Sequence, residues 1–351
     1  MRGRWTAAFL TGLVMAVGML SASVQAETKF TVQTGAASPG MFVLNQFVAD
    51  QAGFFKEEGL DVSINYSQGG PLATQIVASG GADIGDVTFE GLMLGYSKGL
   101  RGKFIYSRYN QLIYFMAVAE DSPIKSVKDF AGKKIGVASM GSASLIIAKS
   151  ILRDAGVEVT ADMFLPVGIG DSAVAALKAD QVQALSLIDF AYAGLERSGQ
   201  KFRYFFHPAI AEVGNGGYLV TDETLANRKD LLVKYLKCLV KAHIFIQTNP
   251  EAAVRMYWKA NPAAKRGATE AEAMQKGLEE LKFRSVFFSD PPGGKLGAFN
   301  IPGVEKYVSV LKQEGVIAQE IPVKDFIWEG LIDEVNTVDP APIQELARNW
   351  K

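Results

Sequence analysis

Cysteine and histidine are scarce in this chain, and their scarcity limits the chemistry it can perform. The 351 residues include one cysteine and two histidines. The lone Cys238 permits no internal disulfide, and neither His207 nor His243 belongs to a metal-binding spacing such as HExxH. Nucleophile and phosphate-binding motifs such as GxSxG, GxGxxG and the P-loop are also missing. We therefore expect no metal, no cofactor and no catalytic activity.

A surplus of positive charge is missing as well. The chain has 36 Lys and Arg residues against 37 Asp and Glu residues, which gives a formal net charge of −1. A domain that binds nucleic acid usually carries a basic surplus. This composition therefore argues against a nucleic-acid partner.

Long apolar stretches are absent after residue 26. Before that point, Arg2 and Arg4 precede an apolar stretch from Ala7 to Leu20, followed by small residues that end at Ala26. This order is typical of a secretory signal peptide. The stretch is shorter than the roughly 20 apolar residues that a membrane span requires. We predict cleavage after Ala26 and release of the mature chain into the periplasm.

Short β-rich runs alternate with helical patterns in the rest of the chain. KFTVQT, GLDVSINYS and ADIGDV alternate with segments such as PLATQIVASG, and the alternation restarts with KKIGVAS, SASLIIAKSILRDAG and VQALSLI. Such alternation predicts βαβ units and mainly parallel sheets. The restart predicts an α/β fold with two lobes.

The predicted lobes are not continuous in sequence. Lobe 1 begins with residues 27–115, lobe 2 spans 116–216, and residues 217–351 return to lobe 1 with a strand and C-terminal helices. The apolar runs at 113–121 and 214–223 are β-like and are flanked by polar residues or glycine. We predict that these two strands form a hinge between the lobes.

One unit of the pattern occurs twice, once in each predicted lobe. LATQIVASGGADIGDVTFEG and AVAALKADQVQALSLIDFAYAG both run from a small-residue helix through a short strand to an acid near an aromatic residue. Ligands of open α/β sheets bind at the carboxyl ends of strands. Carboxylates accept hydrogen bonds from ligand N–H groups, and aromatic faces suit flat or cationic ligands. The alternative is that the acids only complement helix N-termini. The residues concerned are Asp86, Phe89, Asp189 and Phe190.

Several other loops place small residues directly before a helix. GAASPGM at 35–41, SQGGP at 67–71 and SMGSAS at 139–144 leave backbone N–H groups available to a ligand oxygen. Simple helix capping by serine is the alternative for the third loop.

Three segments together resemble a known family. VLNQFVADQAGFFKEEGLDVSINYSQGG, IVASGGADIGDVTFEGLMLGYSKG and DSPIKSVKDFAGKKIGVASMGSASLIIAKSILRDAGV are similar to the NMT1/THI5-like and aliphatic sulfonate–nitrate–taurine group of periplasmic solute-binding proteins. The resemblance implies the type II periplasmic-binding-protein fold, in which two lobes close on one small ligand. It implies transient contact with an ABC transporter permease in the inner membrane, and we expect a monomer. The implied ligand contacts are Pro39, Gly69, Gly70, Asp86, Phe89, Ser142, Asp189, Phe190 and Tyr218.

The nature of the ligand is less constrained than its location. Asp86 and Asp189 disfavour a plain anion, because an unpaired like charge in a closed cleft is costly, whereas the serine-rich helix start near Ser142 favours one. We expect an N–H-bearing ring such as a pyrimidine precursor, with a sulfonate or taurine-like zwitterion as the alternative. Two further alternatives are a sensory partner of a membrane receptor and an enzyme resembling thiamine-pyrimidine synthase, which would consume a histidine such as His207.

Overall fold

The computed structural model describes residues 27–265, 267, 269–285 and 294–351. The predicted signal peptide, residues 1–26, lies outside these ranges. No helix within them combines the length and apolar character that crossing a membrane requires.

Ten strands in the described part of the chain form two five-stranded sheets. In chain order they are β1 (Thr28–Thr34), β2 (Leu60–Tyr66), β3 (Ile84–Thr88), β4 (Lys103–Ser107), β5 (Tyr114–Ala119), β6 (Ile135–Val137), β7 (Phe164–Pro166), β8 (Ala184–Ile188), β9 (Phe202–Phe205) and β10 (Gly216–Val220).

The two sheets have the same topology. The first sheet has the order β2-β1-β3-β10-β4 and the second has the order β7-β6-β8-β5-β9. In each, the first three strands are parallel, and the fourth runs antiparallel to both of its neighbours. This confirms the predicted α/β fold with two lobes. Four of the five strands in each sheet point the same way, so the sheets are mainly parallel as predicted, and the fourth strand alone runs against the others.

The antiparallel strands are the two runs that we predicted as hinge strands. β5 joins the second sheet and β10 joins the first, so each sheet contains a strand that follows a crossing of the chain between sheets. The crossings are residues 108–113, between β4 and β5, and residues 206–215, between β9 and β10.

Helices follow most of the parallel strands and fill the C-terminal part. They are α1 (Leu44–Gln51), α2 (Phe54–Glu57), α3 (Gly70–Ala78), α4 (Phe89–Tyr96), α5 (Ala143–Asp154), α6 (Asp171–Lys178), α7 (Asp189–Arg197), α8 (Asp222–Asn227), α9 (Lys229–Thr248), α10 (Pro250–Ala260), α11 (Glu270–Ser285), α12 (Ile301–Gln313), α13 (Ile332–Val335) and α14 (Pro340–Arg348). Since α3 to α7 each follow a parallel strand, their N-termini lie at the carboxyl edges of the sheets.

Aromatic side chains pack α9 onto the first sheet. The ring of Tyr235 stacks on Phe30 of β1 at 4.8 Å and on Phe55 of α2 at 5.6 Å between ring centroids. Cys238, one turn further along α9, is buried, and its Sγ lies 3.2 Å from the carbonyl oxygen of Phe54. Burial raises the pKa of this thiol to about 12, so the cysteine belongs to the core.

One C-terminal helix reaches beyond the first sheet. The side of α11 at Gly277 packs against Val254 and Trp258 of α10, whereas the ring of Phe283 lies 6.1 Å from that of Tyr204 in β9. The sequence led us to expect that the helices after residue 217 pack on lobe 1. The structure shows that α11 contacts both lobes, because its last turn carries side chains that fit the second sheet.

We expect Gly217→Ala in β10 to destabilise the protein. A Cβ at this position would clash with the backbone carbonyl of Tyr106 in the neighbouring strand. Overpacking of this kind costs roughly 1–3 kcal/mol. The control is Gly141→Ala, where an added Cβ meets nothing within 4 Å. Urea unfolding measures both variants, and an equal free energy of unfolding would contradict the close packing of β10 against β4.

Candidate functional site

The carboxyl ends of β3 and β8 carry the two acids of the repeated unit. Asp86 lies in β3, and Asp189 is the first residue of α7 after β8. Tyr109, in the first crossing, is buried, and Asp86 and Asp189 both act on it electrostatically. Burial raises the pKa of Tyr109 to about 12. The two strand ends therefore lie near one buried tyrosine.

Asp86 forms a buried ion pair with Arg108, the first residue of that crossing. Its Oδ2 accepts a hydrogen bond from the Arg108 guanidinium, and the two side chains are 2% and 8% exposed. Gln46 of α1 donates through Nε2 to Asp86 Oδ2 at 3.3 Å and to the hydroxyl of Tyr218 at 2.9 Å. Burial acts to lower the pKa of Arg108, but the Asp86 carboxylate raises it above the usual value. Arg108 therefore keeps its positive charge beside Asp86.

Asp189 forms a second buried ion pair, with Arg284 in the last turn of α11. Arg284 Nη1 lies 2.7 Å from Asp189 Oδ2, and the side chains are 2% and 1% exposed. Burial raises the pKa of Asp189, whereas Arg284 and Arg108 act in the opposite direction. An ion in such a position is tolerated because its partner compensates the lost hydration.

Two aromatic rings meet between the ion pairs. The ring centroids of Phe42 and Phe190 are 5.7 Å apart, with 35° between the ring planes. The guanidinium carbon of Arg108 lies 5.9 Å from the centroid of Phe42, and that of Arg284 lies 5.9 Å from the centroid of Phe190.

These residues form two half-sites of matching chemistry. The first half-site is Asp86, Arg108 and Phe42, and the second half-site is Asp189, Arg284 and Phe190. Each offers a carboxylate, a guanidinium and an aromatic face, and each has no net charge. Such a set can accept and donate hydrogen bonds and can stack on a flat group.

A small cavity adjoins the first half-site. It has a volume of about 40 Å³, and its walls include Asn45, Tyr106, Arg108, Tyr218 and His243. A cavity of this size holds one or a few water molecules. It therefore adds little room for a ligand in this conformation.

The predicted glycine loops lie together at the carboxyl edge of the first sheet. The N–H of Gly69 donates to the carbonyl of Gly35 at 3.1 Å. A Cβ on Gly35 would lie 2.8 Å from the Cα of Gly70, so the backbones of the two loops are in close contact. Pro39, in the same loop as Gly35, accepts a hydrogen bond at its carbonyl from Asn261 Nδ2 at 3.2 Å.

Ser142 lies at the start of α5, at the carboxyl edge of the second sheet. Its Oγ donates to the carbonyl of Ser139 and lies 2.8 Å from the Oγ of Ser144. Among the described residues, no hydrogen bond or ion pair joins Ser142 to either half-site. The Ser142 hydroxyl thus forms its hydrogen bonds within residues 139–144.

The structure places Phe89 away from the half-sites. Its ring is fully buried, 4.7 Å from that of Phe104 and 5.8 Å from that of Phe326 between centroids. Phe89 is the first residue of α4, and its side chain turns into the hydrophobic core there. We expected the aromatic face of the first lobe at Phe89, but the ring beside Arg108 is that of Phe42.

Sequence reasoning missed four residues of this region. Phe42 directly follows the GAASPGM loop, and Gln46 lies one turn further on, so a wider reading of that loop would have included both. Arg108 follows β4 at the first crossing. Arg284 had no local signal, because it lies in a helix that is remote in sequence from β8.

Glu90, the neighbour of Phe89, is enclosed rather than directed at the site. It is 3% exposed, and its Oε1 accepts hydrogen bonds from Asn215 Nδ2 at 3.1 Å and from the Tyr307 hydroxyl. Burial raises the pKa of this carboxyl. Since Asn215 belongs to the second crossing, Glu90 ties that crossing to α4.

His207 lies outside both half-sites. Its Nε2 is 2.8 Å from Ser150 Oγ, and the N–H of Ala209 donates to its Nδ1 at 3.2 Å. Burial lowers the pKa of the imidazole. It lines a separate cavity of about 440 Å³ beside α5 and α12. Within the described ranges, no group of three His, Cys, Asp or Glu side chains is arranged to hold a metal ion.

Comparison with known proteins identifies the family. The family model described as NMT1/THI5 like matches residues 43–253, more than half of the chain. The chain belongs to the NMT1/THI5-like family. This confirms the resemblance on which the predicted site was based.

Relatives of this NMT1/THI5-like protein match it over most of their length. YtlA of Bacillus subtilis (strain 168), which is provisionally named as a binding protein, is 21% identical over 332 residues, 93% of this chain and 96% of YtlA. The periplasmic aliphatic sulphonate binding protein SsuA of Escherichia coli is 16% identical, with a TM-score of 0.66 over 88% of this chain and all of SsuA. The alkanesulfonate-binding protein SsuA of Xanthomonas axonopodis pv. citri, bound to MOPS, is 16% identical, with a TM-score of 0.64 over 87% of this chain and all of that one. The NMT1/THI5-like chain thus has the fold of periplasmic binding proteins.

We expect Glu90→Gln to reduce the pH dependence of stability. A carboxyl whose folded pKa lies above its unfolded value of about 4.3 contributes stability at low pH that is lost as the pH rises through the folded pKa. The wild type should therefore lose more stability than the variant as the pH is raised from about 5 to about 8.

Urea unfolding at several pH values tests this expectation, with the exposed Glu345→Gln as the control. If the free energy of unfolding changes with pH by the same amount in Glu90→Gln and in the wild type, the Glu90 carboxyl does not cause the pH dependence.

Proposed function

We propose that the chain is the periplasmic solute-binding component of an ABC importer and that it binds one small organic ligand between its two lobes. The observation that carries the proposal is the pair of matching half-sites that meet at the carboxyl edges of the two sheets. The names of YtlA and of the two SsuA proteins support a binding role, and the name of the Escherichia coli SsuA supports a periplasmic location.

Closure of the lobes is the proposed mechanism of binding. Lobe 1 comprises residues 27–115 and 217–351, and lobe 2 comprises residues 116–216. Two crossings joining two lobes suit a hinge motion, and closure is favoured to the extent that the ligand binds the closed state better. The ligand-loaded monomer then contacts the permease in the inner membrane.

We expect the signal peptide to be cleaved after Ala26 during export. N-terminal sequencing of the exported protein checks this cleavage site.

The preferred ligand is a flat ring that carries N–H groups, such as a pyrimidine precursor. Phe42 and Phe190 face each other from opposite lobes, so a ring entering as the lobes separate would stack on both. The carboxylates of Asp86 and Asp189 lie beside these rings as acceptors for ligand N–H groups. Two aromatic faces flanked by acceptors favour a planar ligand over a compact one.

A sulfonate or taurine-like zwitterion is the second candidate. Its support is the presence of Arg108 and Arg284 in the half-sites, together with the sulfonate named for the two SsuA relatives. The paired acids no longer argue against an anionic group, since each carboxylate is already neutralised. A ligand with one charge of each sign would meet a partner at both ends.

An enzyme that consumes a histidine and a sensory partner are less well supported. His207 is held by Ser150 outside the half-sites, and no described contact joins it to Asp86 or Asp189. Mass spectrometry that finds His207 modified would revive the enzyme. Loss of solute uptake after deletion of the cognate permease would support transport over sensing.

We expect Asp189→Asn to weaken ligand binding by roughly 1–3 kcal/mol, the usual cost of losing a buried hydrogen-bond acceptor. Native mass spectrometry of freshly purified protein identifies any retained ligand, and calorimetry with 4-aminopyrimidine and with taurine measures affinity. The exposed Asp171→Asn, at the start of α6, is the control. Unchanged affinity in Asp189→Asn would remove this carboxylate from the site.

We expect Phe190→Leu to distinguish the two ligand classes. Loss of an aromatic pair costs about 0.5–1.5 kcal/mol beyond the area buried. The variant should therefore lose affinity for 4-aminopyrimidine and keep its affinity for taurine, which has no ring to stack. Phe283→Leu, whose ring packs on Tyr204 instead, is the matched control. An equal loss for both compounds would contradict stacking on Phe190.

A further inference from the structure

Arg284 enters the second half-site from outside the second sheet. It lies in the last turn of α11, which packs against α10 at Gly277 and against β9 through Phe283. Arg108, its counterpart, instead follows directly after β4 of the sheet that carries Asp86. The cation of the second half-site therefore depends on a helix that spans both lobes.

The environment of the Arg284 guanidinium matches the chemistry expected of a ligand. A planar cation with N–H donors lies 2.7 Å from the Asp189 carboxylate and 5.9 Å from the Phe190 centroid. It is 2% exposed. Acceptors beside an aromatic face recognise planar N–H-bearing groups. Arg284 is part of the chain itself, yet its guanidinium lies beside Asp189 and Phe190, where a planar N–H-bearing ligand group would otherwise bind.

We propose that Arg284 determines the charge that the second half-site accepts from a ligand. This inference rests on the proposed binding function and deepens it. With Arg284 in place, Asp189 is neutralised, and the half-site has no preference for a positively charged ligand group over a neutral one. Without Arg284, the buried carboxylate requires a cation from elsewhere, because an uncompensated charge is strongly disfavoured in a buried position.

The test uses a small cation in place of the missing guanidinium. Arg284→Ala leaves a space beside Asp189 and Phe190, and a small molecule of matching shape can fill such a space. We expect Arg284→Ala to bind methylguanidinium at least ten times more tightly than the wild type does. It should also prefer methylguanidinium over the neutral isostere methylurea at least tenfold, a preference that the wild type lacks. Calorimetry and thermal unfolding measure both effects.

Two variants make the result specific. Arg255→Ala removes an exposed arginine of α10 that pairs with Glu251, and it should behave as the wild type does. Adding Asp189→Asn to Arg284→Ala removes the acceptor charge, and the preference for methylguanidinium should disappear. If folded Arg284→Ala shows no preference for methylguanidinium over methylurea, or if the double variant keeps it, the proposal is overturned.

The proposal can still be tested if the Arg284→Ala variant does not fold by itself. Methylguanidinium, but not methylurea, should then restore folding, as judged by circular dichroism, and failure to do so overturns the proposal. These measurements need no natural ligand. A wild type that binds neither 4-aminopyrimidine nor taurine would count against the proposed ligand classes and leave the role of Arg284 standing.

Discussion

Two buried carboxylates at strand ends impose the constraint on which the site depends. A charge removed from water needs a partner of opposite charge, since unpaired burial costs several kcal/mol. Asp86 and Asp189 are almost fully enclosed, and each meets an arginine. Because Arg108 comes from the first crossing and Arg284 from α11, the need for pairing joins the crossing and a C-terminal helix to the two sheets.

The shared topology of the sheets explains why the half-sites match. In each sheet the acid lies near the carboxyl end of the third parallel strand, Asp86 within β3 and Asp189 directly after β8, beside the antiparallel strand that the chain supplies after a crossing. Tyr218 of β10 lies opposite Asp86 in this pairing, and Gln46 bonds to both. A hydrogen-bonded network therefore connects the first half-site to the strand that returns from the other lobe. Movement at the crossings would therefore directly change the hydrogen bonds around the Asp86 carboxylate.

Local patterns in the sequence were enough to predict the sheets, the two apolar runs that form β5 and β10, and the strand ends that carry Asp86 and Asp189. The antiparallel direction of β5 and β10 was not predicted. These features depend on short-range periodicity and on where a strand gives way to a helix. The partners of the acids were not predictable in this way, because the pairing of Asp189 with Arg284 joins segments that are far apart in sequence. Phe89 was predicted to supply an aromatic face because it directly follows β3. As the first residue of α4, it instead points into the core.

Pairing of the acids also changes what the site can select. Unpaired carboxylates would reject anions and attract cations through charge alone. Two neutral ion pairs have no such preference, so discrimination has to come from directional hydrogen bonds and from the rings of Phe42 and Phe190. Hydrogen-bonded sites reject analogues that leave a buried polar group unpaired, whereas apolar contacts discriminate weakly. Selectivity at the proposed site should therefore depend on how completely a ligand satisfies Asp86, Arg108, Asp189 and Arg284 in the proposed closed state.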